Sequence, residues 1–360
     1  MSNFCKQDSQ DSSAVALIKN DSASTNLGED HLNRLIFALT LLVVLISCGG
    51  NLSESRVNHL NKESNQVACK TTLAQKWHQE LSRYDDYNNS NDSDDLLPPL
   101  GPLREAASSY HLVLVAGFFN ETFPEYFLDN VQSLREDFGT KKITLIFPSS
   151  REDTSDNAIR LYSEILNSYK SNGQRPLIIV AHSKGAVELL QVMFKNPELI
   201  EQKVISKAIL IQAGIGGSPI ADVASDALWL LSPFVADGWG GLASLRSGHA
   251  KQVLRKLYDE LSPNERTAVS QVISFARSGQ HTRETTPLLK LTQIYLEHFF
   301  GLNDGLLLTE DQFFYDVGAD LGVLDSDHSD LVFSENESLT SPKSRYAFTR
   351  ALIRQIFEPF

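Results

Sequence analysis

The run Pro176-Leu-Ile-Ile-Val-Ala181 leads without a break into His182-Ser183-Lys184-Gly185-Ala186 and then into a second apolar stretch, Val187 to Phe194. The first part shows no alternation of apolar and polar residues, so it reads as a strand buried on both faces. The second has the length and spacing of a helix. Between them stands a serine with small residues on either side, at 181 and 185. A strand that turns at once into a helix crowds its own backbone, and only small neighbours leave room. Such a turn lifts the Ser183 hydroxyl above the sheet edge. It also aims the free N–H groups of the helix start at that hydroxyl, a setting that favours a developing anion.

Outward from this stretch three more aliphatic runs repeat the texture: His111–Ala116, Lys142–Phe147 and Lys207–Gln212. They alternate with amphipathic patterns over Tyr126–Phe138, Ser155–Tyr169 and Ala186–Lys195. Such alternation specifies α/β architecture, a mostly parallel central sheet flanked by helices. With 42% hydrophobic and 21% charged residues, the 360-residue chain can build a sizeable core. Its formal charge of −13 repels phosphate backbones, so no nucleic-acid partner is expected. Cys5, Cys48 and Cys69 are too few for a disulfide framework, and no Cys/His spacing reads as a zinc site.

Ala181-His182-Ser183-Lys184-Gly185 resembles the G-x-S-x-G nucleophile elbow of α/β-hydrolases, with Ala for the first Gly and Lys beside the serine as departures. In that fold an acid and then a histidine follow the serine along the chain. Asn303-Asp304-Gly305-Leu306 comes after the apolar stretch Gln293–Phe300, read as a strand, and Asp327-His328-Ser329-Asp330 lies farther on. Both are similar to the N-D-G-L turn and the D-H-x-D loop of bacterial triacylglycerol lipases. Gly217-Ser218-Pro219-Ile220-Ala221-Asp222 is similar to the segment that opens their lid region. The resemblance spans roughly residues 110 to 335. It implies an α/β-hydrolase fold with Ser183 as nucleophile, Asp304 as acid and His328 as base. On the residues alone, Asp316, Asp320 and Asp325 remain candidate acids, and His182, His249, His281 and His298 candidate bases. Oxyanion donors are implied at the backbone amides of Lys184 and of Phe118, the latter in Val115-Ala116-Gly117-Phe118-Phe119 after the first aliphatic run.

Ser218 to Pro287 is longer than a connection in this fold needs. Its apolar residues, including Trp229, Val235, Trp239, Leu242 and Leu245, lead into helical patterns over His249–Leu261 and Asn264–Arg277. A helical cap at about 218–287 is therefore expected, with apolar surface suited to an ester or lipid substrate. Asp325, Asp327 and Asp330 offer fewer oxygens than a calcium ion takes, so neither metal nor cofactor is expected. The expected activity is hydrolysis of carboxylic esters of apolar acyl groups through an acyl-enzyme. A thioesterase or acyltransferase with the same triad, and a noncatalytic envelope-anchored binding module, stay open as alternatives.

The N-terminal part carries a separate signal. Leu35 to Ile46 is an apolar run shorter than the roughly 20 residues a bilayer span needs. It ends in Leu45-Ile46-Ser47-Cys48-Gly49, which resembles the lipobox of bacterial lipoproteins, where the cysteine is lipidated and the chain is cut before it. The acidic leader ahead of Leu32 does not suit a signal peptide, and initiation at Leu32 would leave Arg34 as the basic n-region. The expected organisation is a leader and signal peptide over 1–47, a polar tether anchored through Cys48 over 48–109, and the hydrolase domain over 110–360. The tether is expected to carry one helix, Thr72 to Tyr84. The resemblance implies a bacterial cell-envelope location, with the protein as a membrane-anchored lipoprotein.

Overall fold

The computed structural model describes residues 16–18, 72–89, 101–123, 125–139, 143–231, 240–279, 287–334 and 342–358. The four aliphatic runs become strands of one sheet. Its seven strands are β1 Ala16–Ile18, β2 His111–Val115, β3 Ile143–Ile146, β4 Leu177–His182, β5 Ile205–Ile211, β6 Ile273–Ser278 and β7 Ala319–Leu324. They lie in the order β1-β3-β2-β4-β5-β6-β7, and every neighbouring pair is parallel. The apolar run 35–46 and Cys48 lie outside the described residues, as do the cap residues 232–239 and His281.

Among the described residues the sheet is joined by two four-residue helical turns, Glu198–Glu201 and Gly240–Ala243, and by longer helices: α1 Leu73–Asn89, α2 Gly101–Ser108, α3 Leu128–Phe138, α4 Thr154–Ser171, α5 Lys184–Lys195, α6 Pro219–Leu231, α7 His249–Glu260, α8 Pro263–Val272, α9 Pro287–Phe299 and α10 Pro342–Phe357. The central strands are uninterrupted apolar runs because both their faces are covered. Val113, Val115, Ile179 and Ala181 pack with residues of α4, α5, α7 and α8. Leu112, Leu114, Ile178 and Val180 pack on the other side with α1, α2, α3 and α10. Because β3 and β4 lie on opposite sides of β2, the connections leaving β2 and β4 diverge. That divergence opens a crevice at the carboxyl ends of these two strands, where parallel sheets hold their ligands.

Four expectations need correction. The helices α1 and α2 pack on the domain rather than standing in a tether: Leu73 and Trp77 are fully buried against α10, Leu103 joins the same core, and Trp77 Nε1 donates to the Ser344 carbonyl at 3.0 Å. Glu80 of α1 is buried too and pairs with Arg350 at 2.9 Å and Arg354 at 2.8 Å. Composition misleads here because the acidic and Asn-rich stretch lies after the apolar face of α1, not on it. The helical pattern assigned to Asn264–Arg277 divides into α8 and the strand β6, with Ile273 already extended at φ −91°, ψ 138°. No Gly or Pro separates the two, so the apolar spacing runs on across the boundary. Gln293–Phe300 is helical rather than a strand: Leu289, Thr292, Gln293 and Leu296 are buried at helical spacing in α9 while Leu291 and Ile294 face outward. The cap is smaller than 218–287, since Ala250, Leu254 and Tyr258 of α7 and Val269 of α8 belong to the core under the sheet.

The docking of α1 has a direct test. Trp77→Ala should lower the free energy of unfolding by about 3–5 kcal/mol, the usual cost of emptying a buried aromatic site. Urea denaturation reads the change, and an unaltered midpoint would return this helix to the tether.

Candidate active site

Ser183 follows β4 directly and has φ 55° and ψ −123°, while Lys184 is already the first residue of α5. Such a backbone costs a non-glycine residue about 1–3 kcal/mol and is tolerated only where surrounding packing enforces it. The enforcing contacts come from the end of β2. A side chain on Gly185 would meet the Ala116 carbonyl oxygen at 2.3 Å, and one on Gly117 would meet Ser183 Cβ at 2.7 Å and the His182 carbonyl at 2.8 Å. These two glycines let the β2 loop and the elbow touch, which brings Phe118 beside the serine.

The other two predicted residues arrive from distant loops. After β7, Asp327 Oδ1 accepts from the amides of Ser329 at 2.7 Å and Asp330 at 2.9 Å, and Asp330 Oδ2 accepts from the Asp327 amide at 2.8 Å. The acidic loop is thus folded on its own carboxylates, and it presents His328 to the elbow. His328 Nε2 lies 2.9 Å from Ser183 Oγ, and its Nδ1 lies 2.8 Å from Asp304 Oδ2. Asp304 is fully buried. Its Oδ1 accepts from the amides of Leu306 at 3.0 Å and Leu307 at 2.8 Å, and its Oδ2 also accepts from Gln312 Nε2 at 3.0 Å. A carboxylate accepting from Nδ1–H leaves the Nε2 lone pair free for the serine proton.

The rival residues are placed elsewhere. Asp316 pairs with Arg255 at the surface, and Asp320 pairs with Arg277 beside β7. His249 and His298 are exposed. His182 is buried but turns away from Ser183, toward Tyr126 and Gln212. Gln312 was not legible in the sequence: it sits in a 3-10 turn, Thr309–Gln312, and no motif marks an amide that braces a carboxylate.

Among the described residues the amides of Phe118 and Lys184 have no hydrogen-bond partner. The Lys184 side chain, which departs from the motif, points away from the serine. Its Nζ donates to Glu188 Oε1 at 2.6 Å and to the Ser149 carbonyl at 3.0 Å. Asn157 Nδ2 donates to the same Glu188 oxygen at 2.7 Å and to the Ser149 carbonyl at 2.7 Å. Next along that loop, Ser150 Oγ accepts from the Phe119 amide at 2.8 Å. The lysine therefore secures the loop after β3 against which the 117–119 segment rests. Burial pushes the Glu188 carboxyl up to about 7, against the opposing pull of Lys184.

No protein-family model and no curated protein matches the chain. Solved structures do. A metagenomic carboxyl esterase aligns over 82% of this chain and 97% of its own, with a TM-score of 0.57 and 21% identity. A Bacillus licheniformis lipase in its mature form aligns over 69% of this chain and 90% of its own, with a TM-score of 0.50 and 18% identity. The chain has the α/β-hydrolase fold. Within that fold, β4 and α5 form the strand–elbow–helix unit, and the loops after β2, α9 and β7 converge on it.

The buried pair beside the elbow makes stability depend on pH. Because the folded-state pKa of Glu188 is raised from 4.5 to about 7, the folded protein keeps a proton in this window that the unfolded chain releases. Stability therefore falls as pH rises through the window and levels off above it. Denaturation midpoints measured across that range should decline for the wild type and stay flatter for Glu188→Gln. Parallel profiles for the two proteins would refute the assignment.

Proposed function

We propose that the chain is a serine hydrolase that cleaves carboxylic esters of apolar acyl groups through an acyl-enzyme. The observation that carries this reading is the continuous hydrogen-bonded series Asp304–His328–Ser183, ending on a serine held at positive φ. His328 Nε2 takes the hydroxyl proton as Ser183 Oγ attacks the ester carbonyl. The imidazolium is balanced by Asp304, and the oxyanion faces the amides of Phe118 and Lys184. His328 then passes its proton to the departing alcohol. Water, deprotonated by the same imidazole, cleaves the acyl-enzyme and restores the serine.

Two further features support an apolar acyl group. Phe118 packs beside Ala221, Ala224, Leu242 and Leu245, an apolar cluster of the cap residues next to the elbow. The two solved structures reported above are a carboxyl esterase and a lipase. The lipobox-like Leu45–Gly49 supports a lipid anchor at Cys48 and an envelope location, and Cys48→Ser should move the protein from the membrane to the soluble fraction with its activity kept. Persistent membrane attachment of that variant would remove the anchor.

The wild type should react with a fluorophosphonate probe and hydrolyse p-nitrophenyl esters. Ser183→Ala should lose both while melting at nearly the same temperature. Asp304→Asn should lower kcat by about 10⁴-fold, since the imidazole loses its fixed tautomer and its counter-charge. Turnover retained by Ser183→Ala would overturn the site.

A further inference from the structure

Beneath the catalytic series lies a second buried network. Tyr126, His182 and Gln212 are each at most 1% exposed. The Tyr126 hydroxyl contacts His182 Nδ1 and accepts from the Gly117 amide at 2.9 Å. His182 Nε2 lies 2.8 Å from Gln212 Oε1, and Gln212 Nε2 donates to the Asp327 carbonyl at 2.7 Å and to Ser278 Oγ. Gln212 directly follows β5 and has a φ of 48°, a conformation a non-glycine residue holds only under constraint.

The two outer partners determine every proton in between. The Asp327 carbonyl can only accept, so the Gln212 amide nitrogen donates to it and Oε1 is left to accept. His182 must then carry its proton on Nε2, which leaves Nδ1 bare to receive the Tyr126 O–H. The Tyr126 oxygen in turn takes the Gly117 N–H, which can only donate. No group in the series has a second arrangement that keeps all of these bonds.

Both ends touch the reaction machinery. Gly117 precedes Phe118, the expected oxyanion donor. The Asp327 carbonyl belongs to the peptide unit whose N–H, that of His328, donates to the Asp304 carbonyl at 2.8 Å. That peptide unit is clamped on both sides. The His182 ring also lies against the His328 ring, with centroids 4.8 Å apart. Burial, and then the neighbouring His328, hold the His182 imidazole well below its usual range, so it supports His328 as a neutral ring.

We propose that His182 is a positioning residue which, through Tyr126 and Gln212, holds the oxyanion loop and the catalytic-histidine loop in register with each other. The role rests on the Ser183 reading above. It acts through placement: the network touches neither the serine hydroxyl nor the substrate, and it holds the two loops between which the tetrahedral intermediate forms.

The test is a double-mutant cycle with ¹⁵N spectroscopy. Tyr126→Phe and Gln212→Met should each lower kcat for a p-nitrophenyl ester by about tenfold with KM nearly unchanged, because a misplaced donor or base acts on the transition state. The double variant should be no worse than about twofold beyond the poorer single, since either change already breaks the series. A product of the two single effects, or an unaltered kcat in Tyr126→Phe, overturns the proposal. The wild-type spectrum should show His182 protonated on Nε2 alone and unchanged between about pH 5 and 9, where an ordinary histidine titrates. A ring that titrates in that range, or one protonated on Nδ1, overturns it even where the variants fail to fold. A wild type that does not label with fluorophosphonate removes the Ser183 reading itself. A labelled wild type with a fully active Tyr126→Phe removes only the positioning role.

Discussion

The carbonyl oxygen of Ala116 occupies the space that any side chain at residue 185 would need. This backbone-to-backbone contact between the end of β2 and the first turn of α5 is possible only because residue 185 is glycine, and the rest of the site depends on it. It sets the start of the helix against the neighbouring strand, which forces Ser183 into its positive-φ conformation and brings the 117–119 segment to the serine. Ala181 meets the same need from the strand side: its methyl group fits into the core, so the first position of the elbow does not require glycine here.

Around that contact the structure places several polar side chains in its interior, held by hydrogen bonds to one another and to the backbone. Asp304 is surrounded by two backbone amides, Gln312 and His328, so its charge is stabilised without exposure to water. Asp327 and Asp330 hold the histidine loop by accepting from its own amides. Lys184 and Glu188 form a pair one turn apart on α5; Asn157 donates to the same Glu188 oxygen as the lysine, and both donors also reach the Ser149 carbonyl. A buried ion pair is a poor source of net stability, because desolvation opposes the attraction. Its value here lies in fixing the loop after β3 to the helix that carries the elbow.

The same physics explains how α1 joins the domain. Its apolar face supplies Leu73 and Trp77 to the core, and its buried Glu80 meets arginines from the last helix. Segments far apart in sequence thus close one face of the sheet, while α4, α5, α7 and α8 close the other. The elbow lies at the carboxyl end of the sheet between the two layers, where the strand order reverses.

The sequence by itself determined the four adjacent strands β2, β3, β4 and β5 and the elbow that follows β4. Strands buried on both faces leave continuous aliphatic runs that need no partner to be recognised, and a sharp strand–helix turn demands small residues at positions adjacent in the chain. The Asn303–Leu306 turn and the Asp327–Asp330 loop were legible through their order after the serine and their likeness to lipase motifs, and their turns are closed by bonds made within a few residues. Only the tertiary structure decided what depends on distant contacts. The boundary between α8 and β6 has no local punctuation and is set by the space beside β5. The docking of α1 depends on partners on α10, more than 260 residues away. Tyr126, Gln212 and Gln312 carry no motif, because a glutamine or tyrosine becomes a bracing group only through the atoms it meets, and those atoms come from loops that the sheet alone brings together.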